Sequence, residues 1–211
     1  MAINKTKIKE IKSFLQNHHN TSILAVTKNR DIIEIKELIK NDFLLFGENR
    51  VQEAIKKFIF IKKEHKNISL HLIGPLQSNK ALDALKVFDC IQSIDREKIA
   101  KIIAQNINHD WCITKNFFIQ INIGKEIQKT GIEPDNARDF YHYCIEMGLN
   151  IKGLMCIPPI GKNVEEYFKK MENIKDTISN QLTLSMGMSG DYQQAVYNGS
   201  NLIRIGSALF E

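Results

Sequence analysis

The sequence contains little proline or glycine and no long apolar run. Only four of its 211 residues are proline and eleven are glycine, which excludes a collagen-like chain and proline-rich linkers. No stretch approaches the roughly 18 consecutive apolar residues of a membrane-spanning helix. The N-terminal segment has no continuous apolar region followed by a small-residue cleavage site, unlike a signal peptide. We therefore expect a cytoplasmic protein with no membrane partner.

Cysteine is also scarce. The four cysteines, Cys90, Cys112, Cys144 and Cys156, form no CxxC pair, which excludes the usual zinc spacing. In a cytoplasmic chain of this length they also argue against a disulfide framework. The six histidines show no ligand spacing. We expect no metal site and interpret the cysteines as small apolar residues in or near the core.

Charge of one sign does not dominate the chain. Its 29 basic and 24 acidic side chains give a net charge of +5, and the two signs are mostly interspersed. The densest basic run lies on one predicted helix and comprises Lys56, Lys57, Lys62, Lys63 and Lys66. Such a run can attract phosphate backbones, but no recognition motif accompanies it. We interpret it as a solvated helix face and expect no nucleic-acid partner.

Eight short apolar segments recur along the chain, each rich in Ile, Leu, Phe or Val and ended by polar residues or glycine. This pattern is typical of buried parallel strands. The segments begin at Ser22, Leu44, Leu70, Asp89, Phe117, Ile151, Thr183 and Asn201. Apolar residues at three- and four-residue spacing predict helices between them, among others over residues 31–40, 51–64, 96–106, 134–147 and 164–178.

Strands that alternate with helices are compatible with a closed (β/α)₈ TIM barrel or a doubly wound open sheet. No GxGxxG motif follows the first strand, where a dinucleotide-binding sheet needs it. The strand starts recur every 18 to 34 residues without a linker. These features favour a minimal α/β barrel in which residues 1–211 form one domain. A predicted helix over residues 3–15 would plug the bottom of the barrel or join its outer layer.

In such a barrel the chemistry is carried out at the C-terminal ends of the strands. Lys28 directly follows the first apolar segment. A solvated lysine amine is almost entirely protonated at pH 7, whereas low dielectric and neighbouring cations favour the neutral form that attacks carbonyl groups. Lys28 is therefore a candidate nucleophile. Its position alone is equally compatible with a rim lysine that extends into solvent.

The turns after the seventh and eighth strands contain glycine and hydroxyl side chains. They span residues 185–191 and 204–208. Barrels commonly bind a phosphate between these two loops, where backbone N–H groups approach its oxygens. Ser189 and Ser207 can donate further hydrogen bonds, and Gly206 permits a close approach. We therefore expect a phosphate site here.

A lysine that captures a carbonyl, facing a phosphate site, indicates pyridoxal 5′-phosphate (PLP) held as a Schiff base. Arg204 lies on the eighth strand near the phosphate loop, where its guanidinium can face the pyridine nitrogen. Because arginine keeps its proton, it would leave that nitrogen unprotonated and weaken the ring as an electron sink. The alternative for Arg204 is a salt bridge across the barrel mouth to Glu48.

Seven sequence segments occur together, at nearly every strand end. They are AVTK (25–28), FGENRVQE (46–53), HLIGPLQSNK (71–80), INIGKEIQKTGI (121–132), GLM (153–155), SMGMSGD (185–191) and IRIGSALF (203–210). In this order they resemble the pyridoxal phosphate homeostasis protein family of PLP-binding proteins, over essentially the whole chain. The resemblance implies a PLP-bearing barrel similar to the N-terminal domain of alanine racemase.

The resemblance also implies a role for each matching position. Lys28 matches the Schiff-base lysine and Arg204 the residue near the pyridine nitrogen, and the other cofactor-binding positions are Asn49, Ser189, Gly206 and Ser207. Ser207 stands where the family often has threonine, which retains the hydroxyl. Arg50 replaces a usual aromatic residue and adds a cation near the mouth.

Three classes of function fit these features. The resemblance favours a protein with no catalytic residues, a monomer or weak dimer that binds PLP and other B6 vitamers and serves PLP-dependent apoenzymes. The first alternative is a PLP-dependent racemase or decarboxylase. Such enzymes take an opposing acid/base group from a second, β-rich domain, which we do not expect here. A Schiff-base aldolase is the second alternative, but Lys152 lies at the wrong end of the sixth strand.

Two further lysines are weaker candidates. Lys129, in QKTGI after the fifth strand, matches a family lysine that could capture PLP transiently, and the alternative is a loop cation. Lys80 can face the barrel mouth or lie on the surface at a helix start. We interpret His71, at the start of the third strand, as structural.

Overall fold

The computed structural model describes residues 3–159, 161 and 163–210. Its strands are β1 (Ser22–Val26), β2 (Leu45–Glu48), β3 (Ser69–Leu72), β4 (Cys90–Ile94), β5 (Asn116–Ile121), β6 (Ile151–Cys156), β7 (Thr183–Ser185) and β8 (Leu202–Ile205). They pair in parallel in chain order, and β8 pairs with β1 to close the barrel. Each predicted apolar segment overlaps one strand, so the predicted (β/α)₈ barrel is confirmed.

Helices follow most strands. They are α1 (Lys5–Leu15), α2 (Ile32–Lys40), α3 (Val51–Glu64), α4 (Ala81–Leu85), α5 (Glu97–Ala104), α6 (Ala137–Glu146), α7 (Val164–Ile178) and α8 (Tyr192–Tyr197), with short 3-10 helices at Ser78–Lys80, Pro134–Asn136 and Ser207–Leu209. The predicted helices over residues 51–64 and 164–178 have the observed bounds. Our prediction named neither α4 nor α8, because helices this short carry little periodicity.

Local side-chain contacts mark where α2 begins. The Glu34 N–H donates to Oδ1 of Asp31 at 2.8 Å, and the Asp31 N–H donates to Oε2 of Glu34 at 2.9 Å. This reciprocal capping box satisfies two N–H groups that lack partners at a helix start. It therefore sets the start of α2 just beyond the loop that carries Lys28.

The main apolar core lies between the outer face of the barrel and the helices. Phe46 of β2 and Leu70 of β3 are fully buried there, together with Phe58 and Ile61 of α3. The four cysteines are buried free thiols, as interpreted from the sequence. Burial raises the pKa of Cys144 to about 12, which keeps this thiol protonated and unreactive.

The barrel interior holds two smaller apolar clusters and several polar side chains. One cluster comprises Leu24, Val26, Ile73 and Leu202, and the other comprises Cys90, Phe118 and Met155. Polar side chains buried alongside them include His71, Gln92, Ser185 and Arg204. The interior of the barrel is therefore partly polar.

Helix α1 packs beside the segment that follows β8. The 3-10 helix Ser207–Leu209 comes directly after that strand, and the Asn4 N–H donates to the carbonyl of Leu209 at 2.7 Å. Ile8 and Ile11 of α1 are buried in the main core. Of the two predicted positions, α1 takes the one in the outer layer. None of the helices that the structure describes is long and apolar enough to cross a membrane.

Candidate functional site

The C-terminal ends of β8, β1 and β2 bring three of the predicted residues to one edge of the barrel. Val26 pairs with Gly47, and Lys28 and Asn49 each lie two residues beyond that pair. Gly206 lies on the other side of β1, where a Cβ atom placed on it would be 3.5 Å from Cβ of Val26. Three neighbouring strands thus carry these positions to the barrel mouth.

Lys28 lies where a buried strand meets solvent. Side chains alternate between the two faces of a strand, so Lys28 has the same parity as Leu24 and Val26, which pack inside the barrel. Lys28 is exposed, and within the part of the chain that the structure describes its amine has no hydrogen-bonding or ionic partner. The amine is therefore accessible to an electrophile at the mouth.

The turns after β7 and β8 lie against each other. The Ala208 N–H points to Oγ of half-buried Ser189 at 3.5 Å, and exposed Ser207 begins the adjoining 3-10 helix. The first N–H groups of a helix have no partner within it. Gly187 has a φ of +91°, and its carbonyl accepts the Arg204 N–H at 2.9 Å, which ties the first turn to β8. Hydroxyl and N–H donors thus converge beside β1.

Arg204 is buried within the barrel, with 4% of its surface exposed. Its Nη1 donates to the carbonyl and hydroxyl oxygens of Ser185 at 2.6 and 3.0 Å, and its Nη2 donates to the Cys156 carbonyl at 2.7 Å. Burial lowers the pKa of Arg204, although a guanidinium stays protonated in proteins. The alternative salt bridge to Glu48 is not formed, because Glu48 instead pairs with Lys57 at 2.9 Å.

A row of polar side chains continues from Arg204 across the barrel. The Ser185 hydroxyl donates to Oε1 of Gln92 at 2.7 Å, and Nε2 of Gln92 lies 2.8 Å from Nδ1 of His71. Burial lowers the pKa of His71 to about 4, so the ring is neutral at pH 7 and Nδ1 can accept the amide proton. The row holds the Arg204 guanidinium in one orientation. The structural interpretation of His71 agrees with these contacts.

Sequence reasoning missed Gln92 and Ser185 as members of this row. Both lie in strands, at positions that face the barrel interior, and Ser185 pairs with Leu202. The available signal was the polar residue in an otherwise apolar segment, as in Cys90–Ile94. That signal identifies a buried polar side chain but does not identify its partners.

Asn49 has an unsatisfied polar atom at the mouth. Its Oδ1 is buried and has no hydrogen-bond partner among the described residues. A Cβ atom on Gly74 would clash with the Asn49 carbonyl oxygen, so only glycine allows the loop after β3 to pack against Asn49. Because buried polar atoms are almost always paired, an unpaired acceptor here fits a ligand that donates a hydrogen bond.

The weaker lysine candidates lie elsewhere around the mouth. Lys129 Nζ pairs with Oε2 of Glu126 at 2.5 Å and donates to the Pro158 carbonyl at 3.3 Å. Lys80 is half-buried, Arg50 is exposed, and both line a cavity of about 620 Å³. Lys129 therefore has an ionic partner, in contrast to Lys28.

The interpretation of the basic run as a solvated face is wrong for Lys57. This residue is 8% exposed, and its Nζ donates to carboxylate oxygens of Glu48 and Glu53 at 2.9 and 2.6 Å. Lys62 is half-buried and pairs with Asp89, whereas Lys56, Lys63 and Lys66 are exposed. The available signal was helical spacing, because Lys57 falls in the buried stripe of Ala54 and Ile61.

Comparison with curated proteins gives relatives over most of the chain. No family model matches it. A pyridoxal phosphate homeostasis protein of Haemophilus influenzae is 36% identical over 208 residues, which cover 92% of this chain and 86% of that protein. A protein of the same name from Buchnera aphidicola subsp. Acyrthosiphon pisum is 37% identical over 198 residues and is covered to 97%.

Solved structures include similar barrels. PipY of Synechococcus elongatus, solved without PLP, has a TM-score of 0.87 at 30% identity, with 98% of this chain and 99% of that chain covered. PipY with PLP bound has a TM-score of 0.82 at the same coverage. Alanine racemase of Acinetobacter baumannii has a TM-score of 0.72 at 16% identity, and the match covers 61% of it. The predicted similarity to the alanine racemase barrel is confirmed at the level of the fold.

Proposed function

The chain belongs to the pyridoxal phosphate homeostasis protein family, and we propose on this basis that it binds PLP and contributes to PLP homeostasis. One observation carries the proposal: the exposed Lys28 amine, which has no partner among the described residues, lies at the same barrel edge as the two turns that meet at Ser189 and Ala208. The PLP-bound structure of PipY, at 30% identity, supports it further.

Lys28 is the residue that carries the cofactor in this proposal. When bound, PLP supplies an aldehyde that a lysine amine converts into a Schiff base. Lys28 is suited to this role because its amine is exposed and no carboxylate in the part of the chain that the structure describes pairs with it. Lys129, by contrast, is held by Glu126.

The donors beside Lys28 suit a phosphate group. We assign the phosphate oxygens to the hydroxyls of Ser189 and Ser207 and to the N–H groups at the start of the turn after Gly206. Charge-assisted hydrogen bonds of this kind are about twice as strong as neutral ones. Asn49, whose Oδ1 has no partner among the residues that the structure describes, would bind a polar group on the ring.

Arg204 would set the electronic character of the site. Three of its five N–H donors are used by Ser185 and Cys156, which leaves two for a ligand. A guanidinium facing the pyridine nitrogen would keep that nitrogen unprotonated, and the ring would stabilise a carbanion poorly. We therefore propose that the protein binds and releases PLP rather than turning over amino acids. The likeness to alanine racemase, at 16% identity, extends to the fold alone.

The same site suggests the partners. Other B6 vitamers would use the ring contacts of Asn49 and Arg204, and PLP-dependent apoenzymes would receive PLP through the open mouth where Lys28 is exposed. We propose that residues 1–211 act as one domain, as a monomer or weak dimer, in the cytoplasm.

A labelling experiment tests the assignment of Lys28. We expect PLP-loaded protein to be yellow, and borohydride reduction to fix a pyridoxyl group on the peptide that contains Lys28. Lys28→Ala should lose both the visible absorbance and the label, whereas Lys63→Ala, which changes an exposed lysine of α3, should keep both. Unchanged absorbance in Lys28→Ala, with no label moved to another lysine, would show the assignment to be wrong.

A further inference from the structure

Lys57 reaches from α3 to the loop that carries Lys28. Besides its two carboxylate partners, the Lys57 Nζ donates to the carbonyl oxygen of Thr27 at 2.7 Å. That carbonyl belongs to the peptide group that joins Thr27 to Lys28. The buried ammonium is therefore bonded directly to the backbone on the N-terminal side of Lys28.

Glu53 completes the contact on the other side of Lys28. Its Oε1, which accepts from Lys57 at 2.6 Å, also accepts the N–H of Asn29 at 2.7 Å. Asn29 has a φ of +60°, a left-handed conformation that glycine adopts freely and asparagine more readily than most other residues. Both peptide groups that flank Lys28 are thus tied to α3 through one lysine and one glutamate.

Glu48 anchors this cluster in the protein interior. Its side chain is fully buried, and its Oε1 accepts from Lys57 at 2.9 Å and from the Thr27 hydroxyl at 2.7 Å. Burial raises the pKa of Glu48, while the hydrogen bonds from Lys57 and Thr27 oppose that rise. A cluster built only for stability needs no bonds to loop peptides, because well-packed apolar residues stabilise a core equally well. The bonds to Thr27 and Asn29 instead indicate that the cluster holds the loop that carries Lys28.

We propose that Lys57, with Glu48 and Glu53, is a positioning residue for Lys28. The inference rests on the proposed function, in which Lys28 forms the Schiff base. That reaction joins Nζ of neutral Lys28 to the aldehyde carbon and releases the carbonyl oxygen as water with the two amine protons. A backbone held on both sides of Lys28 reduces the conformational freedom that the amine loses on reaching the aldehyde.

The first measurement is the rate of Schiff-base formation. Ligand-free protein is mixed with PLP, and the reaction is monitored by its visible absorbance. We expect Lys57→Met to slow it roughly tenfold, as a displaced reactive group would. Lys63→Met, on the exposed face of the same helix, should react at the unmodified rate. Hydrogen exchange of the Asn29 amide in ligand-free protein should be faster in Lys57→Met than in unmodified protein, and unchanged in Lys63→Met.

A second variant keeps the test independent of folding. Lys57→Met leaves Glu48 buried without its cation, which can prevent folding. Glu53→Ala keeps the Glu48–Lys57 pair but removes the acceptor of Asn29, and it should slow the reaction and expose that amide. Glu53→Gln keeps a carbonyl acceptor and should restore most of the rate.

The outcomes separate the two proposals. The positioning role is overturned if the label lies on Lys28 but folded Glu53→Ala and Lys57→Met react as fast as Lys63→Met. That result leaves the proposed function intact. Lower stability with an unchanged rate has the same meaning, because a purely structural role predicts it. A pyridoxyl label on a residue other than Lys28 in unmodified protein overturns the proposed assignment of Lys28 and this inference with it, and absence of any PLP binding overturns the proposed function itself.

Discussion

At the scale of single residues, Lys28 at the barrel mouth and Arg204 inside the barrel are two cations in opposite surroundings. Lys28 is exposed and has no ionic partner within the described chain, whereas Arg204 is buried and donates to Ser185 and Cys156. An exposed amine without an ionic partner can approach a carbonyl carbon and form a covalent bond with it. A guanidinium held by several acceptors keeps its charge and its direction. Lys28 is therefore suited to forming a covalent bond with a ligand, and Arg204 is suited to holding a ligand in one orientation.

The hydroxyls beside Lys28 give a prediction about ligand preference. In the proposed site, Ser189→Ala and Ser207→Ala would each remove one hydrogen bond to the phosphate, a charged group, worth about 1.5–3 kcal/mol. We expect the affinity for PLP to fall roughly tenfold or more in each variant, with little change for pyridoxal, which lacks the phosphate. Titration of both ligands checks this, with Ser13→Ala on the exposed face of α1 as the control. Equal losses for both ligands would place the two serines away from the phosphate.

At the scale of elements, α1 packs against the end of the barrel that carries the turn proposed to bind phosphate. The Asn4 N–H donates to the Leu209 carbonyl at 2.7 Å, which links the start of α1 to the 3-10 helix Ser207–Leu209. Ile11 is fully buried between α1 and the barrel. The first helix of the chain thus supports the last turn, next to the turn that contains Ser189.

Truncation of Ile11 tests this packing. We expect Ile11→Ala to lower the free energy of unfolding by about 2–5 kcal/mol, because it removes buried methyl groups and leaves a cavity. Urea denaturation checks the value, and Lys9→Ala, on the exposed face of α1, should change it little. A loss in Ile11→Ala as small as in Lys9→Ala would mean that α1 packs loosely on the barrel.

At the scale of the whole molecule, the polar row through the barrel makes stability depend on pH. His71 is neutral when folded because burial lowers its pKa to about 4, from an ordinary value near 6.5; Asp89 opposes that shift and Lys62 adds to it. Between those two pH values the unfolded chain binds a proton that the folded chain does not. The contribution of His71 to the free energy of unfolding is therefore fully present above about pH 6.5. It is lost as the pH falls towards 4.

The expected size of this effect follows from the shift. We expect the free energy of unfolding to fall by up to about 3 kcal/mol between pH 6.5 and pH 4 on account of His71. His71→Gln, which cannot titrate, should lack this component, so the difference between the two unfolding curves isolates it from other groups. Parallel pH dependences in the two proteins would show that His71 does not carry the effect.

The proposed role of the whole molecule predicts little turnover. With PLP bound and Arg204 facing the ring nitrogen, we expect a panel of L- and D-amino acids to give spectral shifts but no sustained racemisation or release of carbon dioxide. Chiral chromatography and carbon dioxide assays check this. Turnover at ordinary enzyme rates that Lys28→Ala abolishes would favour the racemase or decarboxylase alternative.

The sequence by itself determined the barrel and the positions of the candidate residues along it. Each strand corresponds to a continuous apolar segment, such as Ser22–Val26, that is followed by polar side chains. The strand ends therefore located Lys28, Asn49 and Ser207 before any contact was known. The bounds of α3 were likewise readable, because an apolar stripe needs only local spacing.

Only the tertiary structure decided which polar side chains are buried and what they hold. In the sequence, Lys57 is one lysine of a basic run. In the folded chain its Nζ donates to Glu48 of β2 and to the carbonyl of Thr27 in the loop after β1. Ser185 and Gln92 are 93 positions apart in the chain and meet only when the barrel closes. A buried polar group is tolerated when partners satisfy it, and those partners come from distant strands. Local pattern records the polarity of a residue, whereas the closed barrel determines its partners.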